Sequence, residues 1–255
     1  MKARGIDRRA LRKRGVLALA GSAGTEVAGR ADARTAARLR RINAISATAF
    51  VLGGSLFALG AALAQGDVGG PRLAAAVYLV GGFFFTTGAY AALLQVANAP
   101  RGADPDGILR TPPWRWWSLE PGRIDWSSAV TLFVGTLFFA ASLLDALLGD
   151  LSVAQVHRLV WSPEAVGCVL FLVSGHLALT EMRHDRPRRR RTDLGWWIAV
   201  VNQLGSALFM VAAVAAFVRP SSGDELAVGI ANWGTLTGAL CFAIAGAMQE
   251  FERPA

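Results

Sequence analysis

The sequence predicts an all-α fold: a polytopic membrane bundle of six transmembrane helices, arranged as three tandem helical hairpins with cytoplasmic termini. Three observations predict it. The 255-residue chain is 53% hydrophobic and only 17% charged, whereas a soluble domain usually carries about 25% charged residues. Its apolar residues form long runs, and its basic residues cluster between alternate runs. One glycine–phenylalanine pattern recurs in every run.

Six apolar segments are long enough to cross about 30 Å of hydrocarbon at a rise of about 1.5 Å per residue. None of them contains lysine or arginine, which are costly inside a bilayer. The predicted spans are 43–65, 73–97, 126–148, 162–182, 195–218 and 227–249.

The spans divide the chain into hairpins and connections. A basic arm, 1–42, comes first, and we expect it to lie in the cytoplasm with a short surface helix from Thr25 to about Arg41. The following segments are the first hairpin 43–97, a Trp/Arg-rich connection 98–125, the second hairpin 126–182, an Arg-rich connection 183–194 and the third hairpin 195–250.

The distribution of basic residues predicts the orientation. If the chain crosses the membrane six times, 23 of its 26 basic residues lie on the side that holds both termini. Only Arg72, Arg158 and Arg219 lie on the other side. The positive-inside rule therefore places both termini in the cytoplasm. Only two of the 26 basic residues are lysines, which indicates a GC-rich bacterial genome. We expect a multi-pass protein of a bacterial cell membrane.

Each span contains the pattern Gly-x-x-x-Phe. Residues four apart lie on the same face of a helix, so the glycine admits a neighbouring backbone and the phenylalanine fills the space beside it. The pattern predicts a helix-packing seam in each hairpin, either within the chain or between protomers. Its members are Gly53/Phe57, Gly81/Phe85, Gly135/Phe139, Gly167/Phe171, Gly205/Phe209 and Gly238/Phe242.

Part of the chain resembles known membrane proteins. Residues 114–126 read WRWWSLEPGRIDW, and Gly135-x-x-x-Phe139 follows. This segment resembles uncharacterised actinobacterial integral membrane proteins. The third hairpin, with NQLGSALF at 202–209 and NWG at 232–234, is similar to a YrhK-type hairpin domain. The resemblance covers about residues 110–250 and implies a helical architecture without an assigned activity.

Three polar side chains lie inside the fourth and fifth spans: His176, Asn202 and Gln203. Buried polar groups need partners in a membrane, and ionisable ones are functional candidates. They are candidates for a polar path for protons or a small solute. The alternative is hydrogen bonding between helices, worth about 0.6 kcal/mol per bond, and the sequence favours this second interpretation.

Other charged groups are explained by their positions at span ends. A group of charged residues gathers around the second outer connection, either as ordinary helix-end charges or as an external mouth that binds a cation or titrates with pH: Asp145, Asp150, His157, Arg158 and Glu164. Glu181 is interpreted as a solvated helix end. The sequence contains no metal-binding spacing, phosphate loop or nucleophile motif. We therefore expect no cofactor, no metal site and no enzymatic activity.

The expected partners are anionic lipid headgroups, which attract basic residues near the membrane surface at about 1 kcal/mol each. The candidate headgroup contacts are Arg186, Arg188, Arg189, Arg190 and Arg191. A homo-oligomer is left open, and nucleic acid is not expected. The sequence favours a non-catalytic structural or interaction role, with a small transporter or channel as the alternative.

Overall fold

Six helices that are long and apolar enough to cross a membrane dominate the computed structural model, which describes residues 5–21, 24–149, 151–185 and 193–254. This confirms the predicted helical bundle. A short helix α4, Val153–Gln155, continues through a π-helical stretch, Val156–Trp161, into α5. The six long helices are α1 Ala33–Gln65, α2 Gly70–Ala97, α3 Ile124–Leu148, α5 Ser162–Asp185, α6 Leu194–Ala215 and α7 Val228–Gln249.

The long helices form a closed ring. Each helix packs against the next one along the chain, and α7 packs back against α1. The ring encloses a core of phenylalanine side chains from all six helices. The space on the axis of this ring is therefore bounded by every span of the chain.

Helix α1 begins ten residues before the predicted first span. Asp32 is its N-cap, and the Asp32 carboxylate accepts a hydrogen bond from the backbone N–H of Thr35 at 2.7 Å. Such a cap stabilises a helix end by about 1 kcal/mol. The basic residues Arg34 to Arg41 therefore form the first turns of α1.

The N-terminal arm contains a small sheet, which corrects the surface helix expected from Thr25. Glycines at positions 21, 24 and 29 disfavour a helix there, and Thr25 and Val27 favour a strand. The strands are β1 Gly5–Ile6, β2 Val16–Gly21, β3 Gly24–Ala31 and β4 Ile108–Leu109, in that spatial order. Because β3 pairs in parallel with β4, the sheet joins the arm to the connection between α2 and α3.

A short basic segment lies between β1 and β2. We call residues 9–14 the basic turn, because Ala10–Arg14 form a π-helical turn and four of the six residues are Arg or Lys. Asp7 begins the turn by accepting a hydrogen bond from the backbone N–H of Ala10 at 2.7 Å. Arg9 pairs with Glu252, just after α7. Residues 9 and 252 therefore lie at the same end of the bundle, which we call the proximal end.

Candidate functional site

The glycine–phenylalanine patterns meet in reciprocal pairs. In each of the helix pairs α1/α2, α3/α5 and α6/α7, the glycine of one helix contacts the phenylalanine of the other, in both directions. A Cβ on Gly167 would lie 2.5 Å from the Phe139 ring, and a Cβ on Gly135 would lie 2.8 Å from the Phe171 ring. Ring contacts of the same kind join Gly81 with Phe57, Gly205 with Phe242 and Gly238 with Phe209, whereas a Cβ on Gly53 would meet the backbone of Phe85 at 2.9 Å.

In this packing all six phenylalanine rings lie at the bundle axis. The rings of Phe85, Phe171 and Phe242 form a proximal layer, with all three centroid distances between 5.0 and 5.9 Å. A distal layer stacks on it, and each distal ring lies 5.0 to 6.0 Å from the proximal ring of its own helix pair. The distal layer consists of Phe57, Phe139 and Phe209. We call the two layers the phenylalanine double layer.

A cavity of about 130 Å³ lies between the double layer and the proximal end. Residues of all six long helices line it, so it lies on the axis. Its walls carry neutral polar side chains, and its floor includes the rings of Phe171 and Phe242. Since a water molecule occupies about 30 Å³ in the liquid, this proximal cavity has room for several waters. Its polar wall residues on the helices include Gln95, Ser128, Ser174, Asn202, Ser206 and Gln249.

A second cavity, of about 200 Å³, lies on the other side of the double layer. All six long helices again contribute to its wall, and Phe57, Phe139 and Phe209 close its inner end. Glu164 and Glu225 bring two carboxyl groups into this distal cavity. Burial raises the pKa of Glu225, which lies in the loop before α7. The remaining void among the rings is about 10 Å³, which holds at most one water.

The basic turn lines the proximal end of the proximal cavity. Its arginines form buried ion pairs with carboxylates at three span ends. Arg9 donates to both carboxylate oxygens of Glu252, at 2.7 and 2.5 Å. Arg12 donates to both oxygens of Glu181, at 2.5 and 2.9 Å, and more weakly to Asp125 at 3.4 Å. Bidentate arginine–carboxylate pairs are strong and directional, so they hold the turn against the helices.

These pairs set the charge states at the proximal end. Burial by itself lowers the pKa of Arg9 and of Arg12, but the facing carboxylates outweigh it and raise both pKa values. Likewise, Arg9 outweighs the effect of burial on Glu252 and lowers the pKa of that carboxyl. Arg9, Arg12 and Glu252 therefore stay charged at neutral pH.

Lys13 differs from the two arginines. Its ammonium donates a hydrogen bond to the neutral amide oxygen of Asn43 at 2.8 Å. Lys13 is buried, with only 6% of its surface exposed. Asn43 is fixed in turn by its own bonds to the carbonyl oxygens of Gln249 and Glu252. Burial, aided by Arg9 and Arg12 and opposed by Glu252, lowers the pKa of Lys13 to about 7.

The predicted polar trio is not brought together. Asn202 lines the proximal cavity. His176 is exposed on the outer surface of the bundle and does not line that cavity, because α5 turns its small residues Ser174 and Gly175 toward the axis. Gln203 lies over Gly175, where a Cβ would collide with its side-chain oxygen. That oxygen is buried and accepts no hydrogen bond within the described part of the chain.

The residues that close the site were not identified from the sequence. Glu181 is 4% exposed and paired with Arg12, so its interpretation as a solvated helix end is wrong. The arm was expected to be a surface element, but it buries Arg9, Arg12 and Lys13. One signal was available: Asp125, Glu181 and Glu252 place a carboxylate at each of three proximal span ends.

Other predicted groups have separate locations. Glu164 lines the distal cavity, while His157 contacts the carbonyl oxygen of Val218 at 2.5 Å. Asp150 and the candidate headgroup contacts Arg186 and Arg188 to Arg191 lie outside the described residues. Within residues 5–21, 24–149, 151–185 and 193–254, no group of three metal-ligating side chains is found.

Comparisons with protein-family models, curated proteins and solved structures found no match to this chain. The resemblance to a YrhK-type hairpin domain stays a prediction.

Proposed function

We propose that this multi-pass membrane protein moves a small solute along the bundle axis and that the phenylalanine double layer is its gate. The observation that carries this proposal is a pair of axial cavities, one on each side of six buried rings. Every long helix contributes to both cavities. Hydrophobic constrictions are known to gate channels by excluding water.

The arrangement of the seams supports transport more than a purely structural role. The sequence favoured a structural or interaction role, in which the glycine seams would pack helices or protomers. All twelve seam residues contact one another inside a single chain, so they leave no such seam free for a second protomer. A bundle that only packs has no need for polar cavities on its axis, since buried polar groups cost free energy.

The proposal includes an orientation. Residues 9 and 252 lie at one end, and the positive-inside rule assigns that end to the cytoplasm. The proximal cavity then opens from the cytoplasmic side and the distal cavity from the outside. We propose a bacterial cell membrane as the location. Arg186 and Arg188 to Arg191 then lie on the cytoplasmic side, where anionic headgroups are concentrated.

Flux through vesicles tests the proposal. Purified protein is placed in liposomes, and the permeabilities to water, urea, sodium and chloride are measured. Phe171→Ala removes the ring that contacts Phe85, Phe139, Phe209 and Phe242. We expect this variant to raise at least one permeability fivefold or more over the unmodified chain.

The matched control is Phe138→Ala. Phe138 is the neighbour of Phe139 but is 38% exposed on the outer face, so its loss should leave every permeability unchanged. Size-exclusion profiles and circular dichroism check that both variants are folded. The proposal is wrong if all four permeabilities of the folded Phe171→Ala variant equal those of protein-free vesicles.

A further inference from the structure

Among the described residues, Lys13 is the one basic residue lining the proximal cavity that has no carboxylate partner. Three carboxylates there are each matched by an arginine at 3.0 Å or less, and within the described residues no carboxylate forms an ion pair with Lys13. Lys13 has three N–H donors, and one of them is used by Asn43. The matched pairs are Arg9 with Glu252, Arg12 with Glu181 and Arg123 with Asp125.

A second unused donor lines the same cavity. Gln95 on α2 is 1% exposed, and its Nε2 amide group is buried without a hydrogen-bond partner in the described part of the chain. A buried donor without a partner costs about 1–3 kcal/mol. Both Lys13 and Gln95 line the proximal cavity, so a ligand there meets N–H donors from the basic turn and from α2.

The chemistry of these groups selects a ligand class. An ammonium and an amide N–H₂ are donors. Among the described residues, Asp125 is the only carboxylate that lines the cavity, and it is engaged by Arg12 and Arg123. A cation therefore finds no free carboxylate there. One unmatched positive charge balances one negative charge, and about 130 Å³ admits only a small ligand.

We propose that the proximal cavity binds a small monovalent anion, such as chloride or formate, between the Lys13 ammonium and the Gln95 amide group. This rests on the proposed function, since the bound anion is then the solute that approaches the gate. The anion forms an ion pair with Lys13, as the carboxylates do with the arginines. It also accepts a hydrogen bond from the Gln95 amide group.

Binding of such an anion is linked to protonation of Lys13. The groups that face Lys13 are Arg9 and Arg12 on its own segment, Glu252 after α7 and Glu181 on α5. Arg9, Arg12 and Glu252 stay charged near neutral pH because of their ion pairs, so Lys13 is the group that changes charge there. For a base with a pKa of about 7, anion affinity should fall about 30-fold between pH 6 and pH 8.5.

Chloride binding tests the proposal. The full chain, purified in detergent with gluconate as the only anion, is titrated with chloride, and ³⁵Cl NMR line broadening reports the bound fraction. We expect saturable broadening at pH 6 and about 30-fold weaker binding at pH 8.5. Lys13→Met and Gln95→Leu should each weaken binding at least tenfold, and Lys13→Met should abolish the pH dependence. Arg40→Met, at an exposed position, is the control and should bind as the unmodified chain does.

The outcomes separate this proposal from the transport function. Chloride and formate binding that is absent at pH 6, or unchanged in a folded Lys13→Met variant, overturns the anion site. Binding with the expected variant and pH effects, but with no flux in liposomes, supports the site and contradicts the transport function. Chloride flux that is unaffected by Lys13→Met and Gln95→Leu also overturns the anion site, while it supports transport.

Discussion

Gly167 provides the sharpest test of the seam that builds the double layer. A Cβ there would lie 2.5 and 2.7 Å from two carbons of the Phe139 ring, whereas carbon atoms pack best at about 3.5–4.0 Å. The ring would need to retreat by about 1 Å. It has little room, because it stacks on Phe171 with centroids 5.0 Å apart and also contacts Phe209.

Two opposing effects determine how much Gly167→Ala changes the free energy of unfolding. Overpacking a filled core destabilises a protein by about 1–3 kcal/mol, whereas replacing a glycine with alanine inside a helix stabilises it by up to about 1 kcal/mol. We expect Gly167→Ala to lower the free energy of unfolding in detergent by about 1–2 kcal/mol. Gly229→Ala is the control, because a Cβ there meets nothing within 4 Å in α7, and it should be neutral or stabilising.

A double-mutant cycle isolates the contact. In the background of Phe139→Ala the ring is absent, so adding Gly167→Ala should be neutral or stabilise the protein by up to about 1 kcal/mol. The coupling free energy should then equal the cost of overpacking, about 1–3 kcal/mol. Unfolding is followed by denaturant titration with circular dichroism. If Gly167→Ala destabilises both backgrounds equally, the explanation of the seam is refuted.

Three further predictions concern the closing groups and the predicted path. Among the described residues, Glu181→Gln leaves Arg12 with Asp125, at 3.4 Å, as its remaining ion-pair partner, so unfolding measurements should find a loss of about 3 kcal/mol. Asp104→Asn, in an exposed pair, should change stability by less than about 1 kcal/mol, and equal losses for the two variants would contradict this. In chloride-free buffer, hydrogen-exchange protection of the basic turn, corrected for intrinsic rates, should rise between pH 7 and about 10.5. In this pH range Lys13 is protonated when the basic turn is undocked but has lost its proton when the turn is docked and the amine is buried, so rising pH favours the docked state. Lys13→Met should remove the rise in protection. Protection that instead increases on acidification would contradict this explanation. His176→Ala should leave liposome flux unchanged because the side chain is outside the cavity, and a reduced flux would return His176 to the path.

The six spans and the seam residues were accessible to sequence analysis because both depend on local patterns. Twenty or more predominantly apolar residues with few charges define a span, and a four-residue spacing defines a shared helix face. The reciprocity between Gly135 and Phe171 also follows from spacing, since each helix of a pair carries both partners. The meeting of six phenylalanine rings on one axis cannot be predicted from spacing, because it depends on how the helix pairs pack into a closed circle.

The closing residues depend on contacts between distant parts of the chain. Arg12 and Glu181 are 169 positions apart, and no local pattern distinguishes Arg12 from the exposed basic residues of the arm. Burial of a charge is decided by whether a partner offsets its loss of hydration, and that partner is visible only after folding. His176 was misplaced for a related reason: α5 is apolar nearly all round, so its inward face could not be assigned from hydrophobic periodicity.

Thiol accessibility from the two sides of a vesicle tests the central claim, that the double layer separates two axial cavities. Ser174→Cys lies in the proximal cavity and Ser142→Cys in the distal one, each placed in a chain with Cys168 and Cys241 replaced by alanine. We predict that a membrane-impermeant thiol reagent modifies Ser142→Cys only from the distal side and Ser174→Cys only from the proximal side. Adding Phe171→Ala should let the reagent reach both sites from either side. Modification of either cysteine from both sides while all six rings are present would contradict the account.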